Sequence, residues 1–413
     1  MLKSLGVLAP VWVIVLVLIL LFSTENHAAR PFARAGAGSI PQTPFSSVTF
    51  GTFAKYGNGT CPNTPKCISG DTWFNTWSSD DGIYATSGDS SQWNATGCSG
   101  YSCLTANLLF SKLSDYSASL TGTTTNDGAF WNGTSSTDNA NFKGSGIISV
   151  SGTLISSAVR QCPSGCPMAS IYTSGQLITS TDHGVTWTPI PPGGANNAQP
   201  YTAPTFTDPK FRLPSFIQYG QDGHGPYADG SDQYVYALSS DQSTAHISGT
   251  VSDAMNLGRV LATNLAAGLA SDWTFYQGLD GSNNPIWGPL STTVPVVSQT
   301  GGKFQYGPTP QYLPAFRTYI MITYSPGCCP NTGDTTWDIW QGLHPWGPWT
   351  VVQQSPHWYS GNPQAGADGF YYPAIVSKSV AVDGGRTFTL LTTGDFQQIS
   401  TMYTMYIVPV TVN

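Results

Sequence analysis

Short apolar runs recur along the chain, each broken by Gly, Pro, Asn or Ser. One series, DTWFNTWS, KGSGIISV, FRLPSFIQYG, YLPAFRTYIM and FYYPAIVSK, suits strands buried on both faces. Each is followed by an alternating or apolar run that ends in small polar residues: GIYATSGDS, QLITSTDHGVTW, QYVYALSSD, YIMITYSPG and TFTLLTTGDF. β-branched and aromatic residues between turn-forming clusters predict many short strands. The units repeat about every seventy residues, which predicts repeated four-stranded blades with long loops on one face. The expected fold is therefore all-β, a five-bladed β-propeller over residues 46–413. A two-sheet sandwich would rarely need so long a single domain. Residues 251–271, VSDAMNLGRVLATNLAAGLAS, are the best helical candidate or else a long connection.

The N-terminal residues read differently. An early lysine precedes an apolar run from Leu5 to Phe22, then polar residues and the pair Ala28-Ala29. That order predicts a secretory signal peptide over 1–29, with an uncleaved membrane anchor as the alternative. Either places the rest outside the cytoplasm. Residues 30–45 read as a Gly/Ala/Pro linker. Eight cysteines form close local pairs, Cys61 with Cys67, Cys98 with Cys103, Cys162 with Cys166, and the adjacent Cys328 and Cys329. In an exported chain they read as disulfides rather than a zinc site, since no histidines lie at ligand spacing. Asn58, Asn94 and Asn132 open glycosylation sequons.

Composition sharpens the picture. Charged residues are only 9% of the chain, against 45 glycines and 30 prolines, too few for long charged helices. A net charge of −7 argues against nucleic acid as a partner. Glu25 is the only glutamate and lies in the leader, so any carboxylic acid chemistry must use aspartate.

The stretch GDTWFNTWSSDDGIYATSGDSS concentrates that choice on Asp71, Asp80, Asp81 and Asp89. With DTWFNTWS as the innermost strand of the first blade, Asp80-Asp81-Gly82 is its hairpin turn. The returning strand then brings Asp89 beside Asp71, at the opposite end from the turn. Two neighbouring carboxylates suit glycosidic bond cleavage, one protonated to donate and one ionised to activate water or attack. Capping of strand ends is the bland alternative. Trp73 and Trp77, on the same strand face as Asp71 by alternation, could stack on sugars or simply fill core. Lys143, Arg212, Tyr306, Asp368, Tyr371 and Tyr372 all lie near the starts of inner strands and are candidate substrate contacts. Asp395 is a weaker third carboxylate. STDHGVTW, from Ser180 to Trp187, fits the S-x-D-x-G-x-T-W aspartate box, in which Asp182 holds a turn. No cofactor is implied; the loop QDGHGPYADGSDQ, with Asp222, His224, Asp229 and Asp232, offers oxygens for calcium but lacks the spacing of a calcium loop.

The order D-x-W, W-x-x-DDG-x-Y and GD, with later PSFIQYG and YYPAI, resembles a secreted five-bladed propeller family catalogued as domain of unknown function 4185. Some of its members are endo-D-arabinanases. The resemblance covers most of residues 46–413 and implies a glycoside hydrolase acting on a polysaccharide, with Asp71 and Asp89 as paired acids; a monomer is expected. The local cysteine pairs and the DGAFWNGTSS insertion depart from that family. A non-catalytic carbohydrate-binding propeller is the alternative reading. A sialidase is a third, suggested by FRLP, but FRLP follows the aspartate box instead of preceding it, and the glutamate of the tyrosine–glutamate pair is missing.

Overall fold

The structure, a computed structural model, describes residues 42–56, 60–61, 68–93, 98–99, 106–117, 119–128, 141–161, 172–190, 204–223, 233–246, 251–305, 307–325, 335–355, 370–394 and 403–413; at 60–61, 98–99, 141, 190 and 246 it describes the backbone alone. The strands form five antiparallel blades. The first comprises Asn75–Trp77, Ile83–Ser90, Ala106–Leu113 and Gly122–Asn126. The second comprises Asn141–Val150, Thr153–Gln161, Tyr172–Ser180 and Thr188–Ile190. Ser215–Phe216, Tyr234–Ser240, Ala254–Leu261, Thr274–Leu279 and Pro285–Gly288 make the third. Gln311–Leu313, Thr318–Ser325, Thr336–Gly342 and Trp349–Gln354 make the fourth. The fifth runs Tyr371–Ile375, Thr387–Gly394, Thr404–Val412, and its outer strand is Val48–Phe50 from the other end of the chain.

That last strand closes the ring. Val48 lies opposite Val412 and Phe50 opposite Val410, while Ser46 and Asn413 are joined by a 2.7 Å backbone hydrogen bond. Residues 42–45, read from sequence as the linker's end, belong to this closure. The Gln42 amide donates to the Leu343 carbonyl at 2.6 Å, and Phe45 is buried edge-on against Phe316.

Apolar side chains fill the gaps between blades. Trp187 is fully buried and stacks on Phe110 at 4.1 Å, tying the second blade to the first. Ile148, Leu177, Phe211, Phe216 and Val235 pack the second against the third. Near the axis the inner strands are joined directly. Thr76 donates to Gln218, Gln218 donates to the Ile147 carbonyl, Asn75 donates to the Ile375 carbonyl, and Ile375 donates to Thr309. Buried backbone groups at the centre are thus satisfied between blades.

Two sequence expectations shift. Residues 254–261 are the third strand of the third blade, and only Ala262–Leu265 is α-helical. Leucines at 257, 261, 265 and 269 mimic a helical period, but a ladder with Tyr234–Ser240, in register along its whole length, prevails. In the second blade, QLITS is the third strand, not the second. The second is Thr153–Gln161, which follows the inner strand through Ser151-Gly152 with φ of 50° and 75°. Two left-handed residues in succession are what a tight two-residue hairpin needs.

Candidate functional site

The ladder places Asp71 opposite Gly88, with reciprocal backbone hydrogen bonds of 2.9 and 2.7 Å, so Asp71 and Asp89 are neighbours. Asp80 and Asp81 lie at the other end of the same hairpin. Asp80 binds Lys112, the Tyr84 hydroxyl and the Gly82 amide, while Asp81 accepts from the Trp77 indole at 2.8 Å and pairs with Lys378. Four aspartates in one hairpin therefore separate into two pairs at opposite ends.

The two neighbouring acids differ sharply. Asp71 is only 6% exposed, and its Oδ1 has no hydrogen-bond partner. Burial first, and then the charge of Asp89, push its pKa up to about 8; Lys143, Thr72 and Tyr371 act in the opposite sense. Asp89 is more open. Lys143, itself buried, forms an ion pair with its Oδ1, and the Tyr403 hydroxyl donates to its Oδ2 at 3.2 Å. A buried carboxyl thus stands beside a more open one held by a cation and a phenol. Pairs whose surroundings drive their protonation apart are how acid and base roles are divided.

Strand irregularities build this arrangement. Asp71 faces Gly88 but Asn75 faces Ala85, so one extra residue is inserted between them on the inner strand. The second blade shows the same shift between Lys143, opposite Val159, and Gly146, opposite Ser157. The fifth shows it between Tyr371, opposite Thr393, and Ala374, opposite Leu391. Three consecutive blades thus carry a β-bulge within a few residues after Tyr371, Asp71 and Lys143. A bulge bends its strand and redirects side chains, and these three converge on one place. Burial near Asp71 and Asp89 in turn raises the Tyr371 hydroxyl well above its ordinary range.

The bulge also corrects the reading of the tryptophans. Simple alternation puts Trp73 and Trp77 on the face of Asp71, but the inserted residue breaks it. Trp73 is 1% exposed, packs among Ile83, Ala374 and Leu391, and donates from its indole to Thr393 at 3.1 Å. Trp77 sits at the turn end with Asp81. Neither ring borders the acid pair as a sugar platform. Tyr372 is also core, edge-on to Phe74 and Tyr324. Arg212 donates to the Tyr172 carbonyl, which anchors it on the second blade. Tyr306, Asp368 and Asp395 lie outside the described residues, as do Cys67, Cys103, Cys162, Cys166, Cys328, Cys329, the three sequons and residues 1–41. The backbones of Cys61 and Cys98 lie opposite each other in a two-strand ladder.

The aspartate-box residues form a closed turn. Asp182 accepts from Ser180, the Thr186 amide and the Thr186 hydroxyl, and the Trp187 indole donates to Gly184. Asp222, from the loop considered for calcium, is occupied by Ser149 and the Gly152 amide. His224, Asp229 and Asp232 lie outside the described residues; among the described residues no three potential ligands cluster as a metal site.

Sequence reasoning did not find Tyr403 or Thr72. Tyr403 lies just before the strand Thr404–Val412 and works across the seam between last and first blades: its carbonyl accepts from Gly70 and its hydroxyl reaches Asp89. Only the three-dimensional closure of the ring brings it there.

No family model matches the chain, and no curated protein matches it. Solved structures resemble it distantly, and among them are glycoside hydrolases. The GH43_1 enzyme from Xanthomonas citri, complexed with xylotriose, is 9% identical with a TM-score of 0.44, over 85% of this chain and 88% of that one. An α-L-arabinofuranosidase from Fusarium graminearum, complexed with an iminosugar inhibitor, is 10% identical with a TM-score of 0.43, over 88% and 98%. A third structure, described as a glycoside hydrolase, is 10% identical with a TM-score of 0.45, over 89% and 92%.

Proposed function

We propose that the chain is an exported glycoside hydrolase that cuts a polysaccharide, with Asp71 as general acid and Asp89 as base or nucleophile. The observation that carries the proposal is the unequal pair: a buried carboxyl whose pKa is raised to about 8, beside a carboxylate paired with Lys143. At neutral pH Asp71 keeps its proton and can deliver it to the glycosidic oxygen as the bond to the anomeric carbon breaks. Asp89, ionised and fixed by Lys143 and Tyr403, either takes a proton from the attacking water or attacks the anomeric carbon itself. After donation, the negative charge on Asp71 is stabilised by Lys143 and by the nearby Thr72 and Tyr371 hydroxyls. Furanose-containing arabinans are the first substrates to try, on the strength of the sequence resemblance. Export rests on the N-terminal leader.

The near-complete burial of Asp71 favours a second reading, a propeller that binds carbohydrate without cutting it. Incubating the purified protein with a polysaccharide panel separates the two. Reducing ends released by the parent but not by Asp71→Asn support hydrolysis. Retention of a polysaccharide by both proteins, with no cleavage by either, supports binding alone.

A further inference from the structure

Among the described non-glycine residues with positive φ, Asp81, Ser151, His183, Asp222, Asn283, Arg317 and Tyr403 occupy turns and bends. Thr72, Asp89 and Tyr372 do not; they interrupt strand runs around the acid pair, with φ of 55°, 42° and 50°. Thr72 is the most telling of them. A β-branched residue in the left-handed region is a true outlier, because its branched Cβ crowds the backbone. Such strain persists only where the surroundings impose it, and it concentrates at functional sites.

The surroundings of Thr72 are specific. Its carbonyl accepts from the Phe74 amide at 2.7 Å and from the Thr86 hydroxyl at 3.2 Å, which holds the bulge in shape. Its own hydroxyl is buried without a hydrogen-bond partner, as is Oδ1 of Asp71. Both oxygens crowd the same spot over Gly88. A Cβ added there would stand 2.6 Å from Asp71 Oδ1 and 2.7 Å from Thr72 Oγ1, so glycine is required for the close approach. The left-handed backbone at Thr72 thus leaves its hydroxyl and the carboxyl of Asp71 on the same side of Gly88, each within reach of one point.

We propose that Thr72 is a positioning residue, held in a strained conformation so that its hydroxyl orients the carboxyl of Asp71 and steadies the charge left after proton donation. The proposal rests on the hydrolase reading given above. The other groups facing Asp71 are Asp89 from the returning strand, Lys143 from the second blade, and Tyr371 from the fifth, with Tyr403 beyond Asp89. None of them is altered by changing Thr72. Because the hydroxyl favours the ionised acid, its removal raises the pKa of Asp71.

Three variants test this. Thr72→Val keeps the shape without the hydroxyl, Thr72→Ser keeps the hydroxyl, and Thr72→Gly releases the strain. Thr72→Val is expected to lose at least tenfold in kcat with little change in KM, and its alkaline activity limb moves to higher pH. Thr72→Ser recovers most of the rate and the parental limb. Thr72→Gly melts no lower than the parent yet is slower. Titration of the Asp71 carboxyl, followed by carbon NMR in parent and Thr72→Val, gives the same readout without any substrate. If no polysaccharide is cut but the titration still moves, the hydrolase reading fails and the contact between Thr72 and Asp71 stands. If the parent is active but Thr72→Val leaves both the titration and the rate unchanged, Thr72 has no positioning role.

Discussion

Replacing Asp71 with asparagine should abolish hydrolysis and yet stabilise the protein, by an amount that depends on pH in a defined way. In the unfolded chain the carboxyl titrates near 3.8; in the fold it titrates near 8. Between those values the native state holds a proton that the unfolded state has released, so the native state binds more protons and its stability falls as pH rises. At pH 7 the gap above 3.8 is a little over three pH units, and at about 1.4 kcal/mol per unit the buried acid costs about 4 kcal/mol. Asparagine has nearly the same shape and no charge to release. Asp71→Asn should therefore match the parent near pH 4, gain progressively to about pH 8, and gain no more above it. At pH 7 the difference corresponds to roughly 5 °C in melting temperature for a domain of this size. Urea unfolding of both proteins at several pH values between 4 and 9 measures it. A stability difference that does not change with pH would mean that Asp71 ionises like an exposed carboxyl, and the assignment of Asp71 as the neutral acid would fall.

Other outcomes follow from the same geometry. Lys143→Met should reduce activity by two orders of magnitude or more and, since Lys143 favours the ionised acid, push the alkaline activity limb upward; a pH–rate profile checks both. Tyr403→Phe should slow hydrolysis with little change in melting temperature, because the carbonyl that accepts from Gly70 remains. Asp80→Asn should leave hydrolysis intact and lose stability at neutral pH, with a deficit that vanishes in acid: against the opposing effect of burial, Lys112, Tyr84 and Gly82 hold the Asp80 pKa down to about 2, so its contribution is present above 3.8 and is lost as pH falls through about 2, which urea unfolding over that range measures. Trp187→Ala should cost about 3–5 kcal/mol in urea unfolding, as expected for a fully buried ring, while each folded molecule still turns over normally.

Much of the fold can be read from residues alone, because strands buried on both faces leave runs such as KGSGIISV and FYYPAIVSK that few other elements produce. The hairpin around Asp80-Asp81-Gly82 likewise fixes which aspartates share an end, since pairing partners in an antiparallel ladder follow from the turn. The bulges are another matter. A single inserted residue at Thr72, Ser145 or Tyr372 leaves no mark in composition, yet it decides that Trp73 enters the core while Asp71, Lys143 and Tyr371 converge. The part played by Tyr403 was illegible for a different reason: it lies 314 residues from Asp89, and only ring closure brings the two together. The segment 251–271, a helical candidate or a long connection by its sequence, is mostly a strand because leucine spacing is a local signal, and a seven-residue ladder with a partner strand outweighs it.

The seam where Asp71, Asp89 and Tyr403 meet is clasped on its outer side by Val48–Phe50, among the first residues described, laid along Thr404–Val412, the last. In the order of synthesis Val48–Phe50 precedes Thr404–Val412 by the whole of the ring. The blade that carries Tyr403 stays one strand short until its earliest-made piece comes back to join it. Assembly of the candidate site would then be the closing act of folding, so a partly made chain could acquire four blades without bringing Tyr403 to Asp89. An early strand that had lost its grip would leave a protein with most of its blades paired and its candidate site open at the seam.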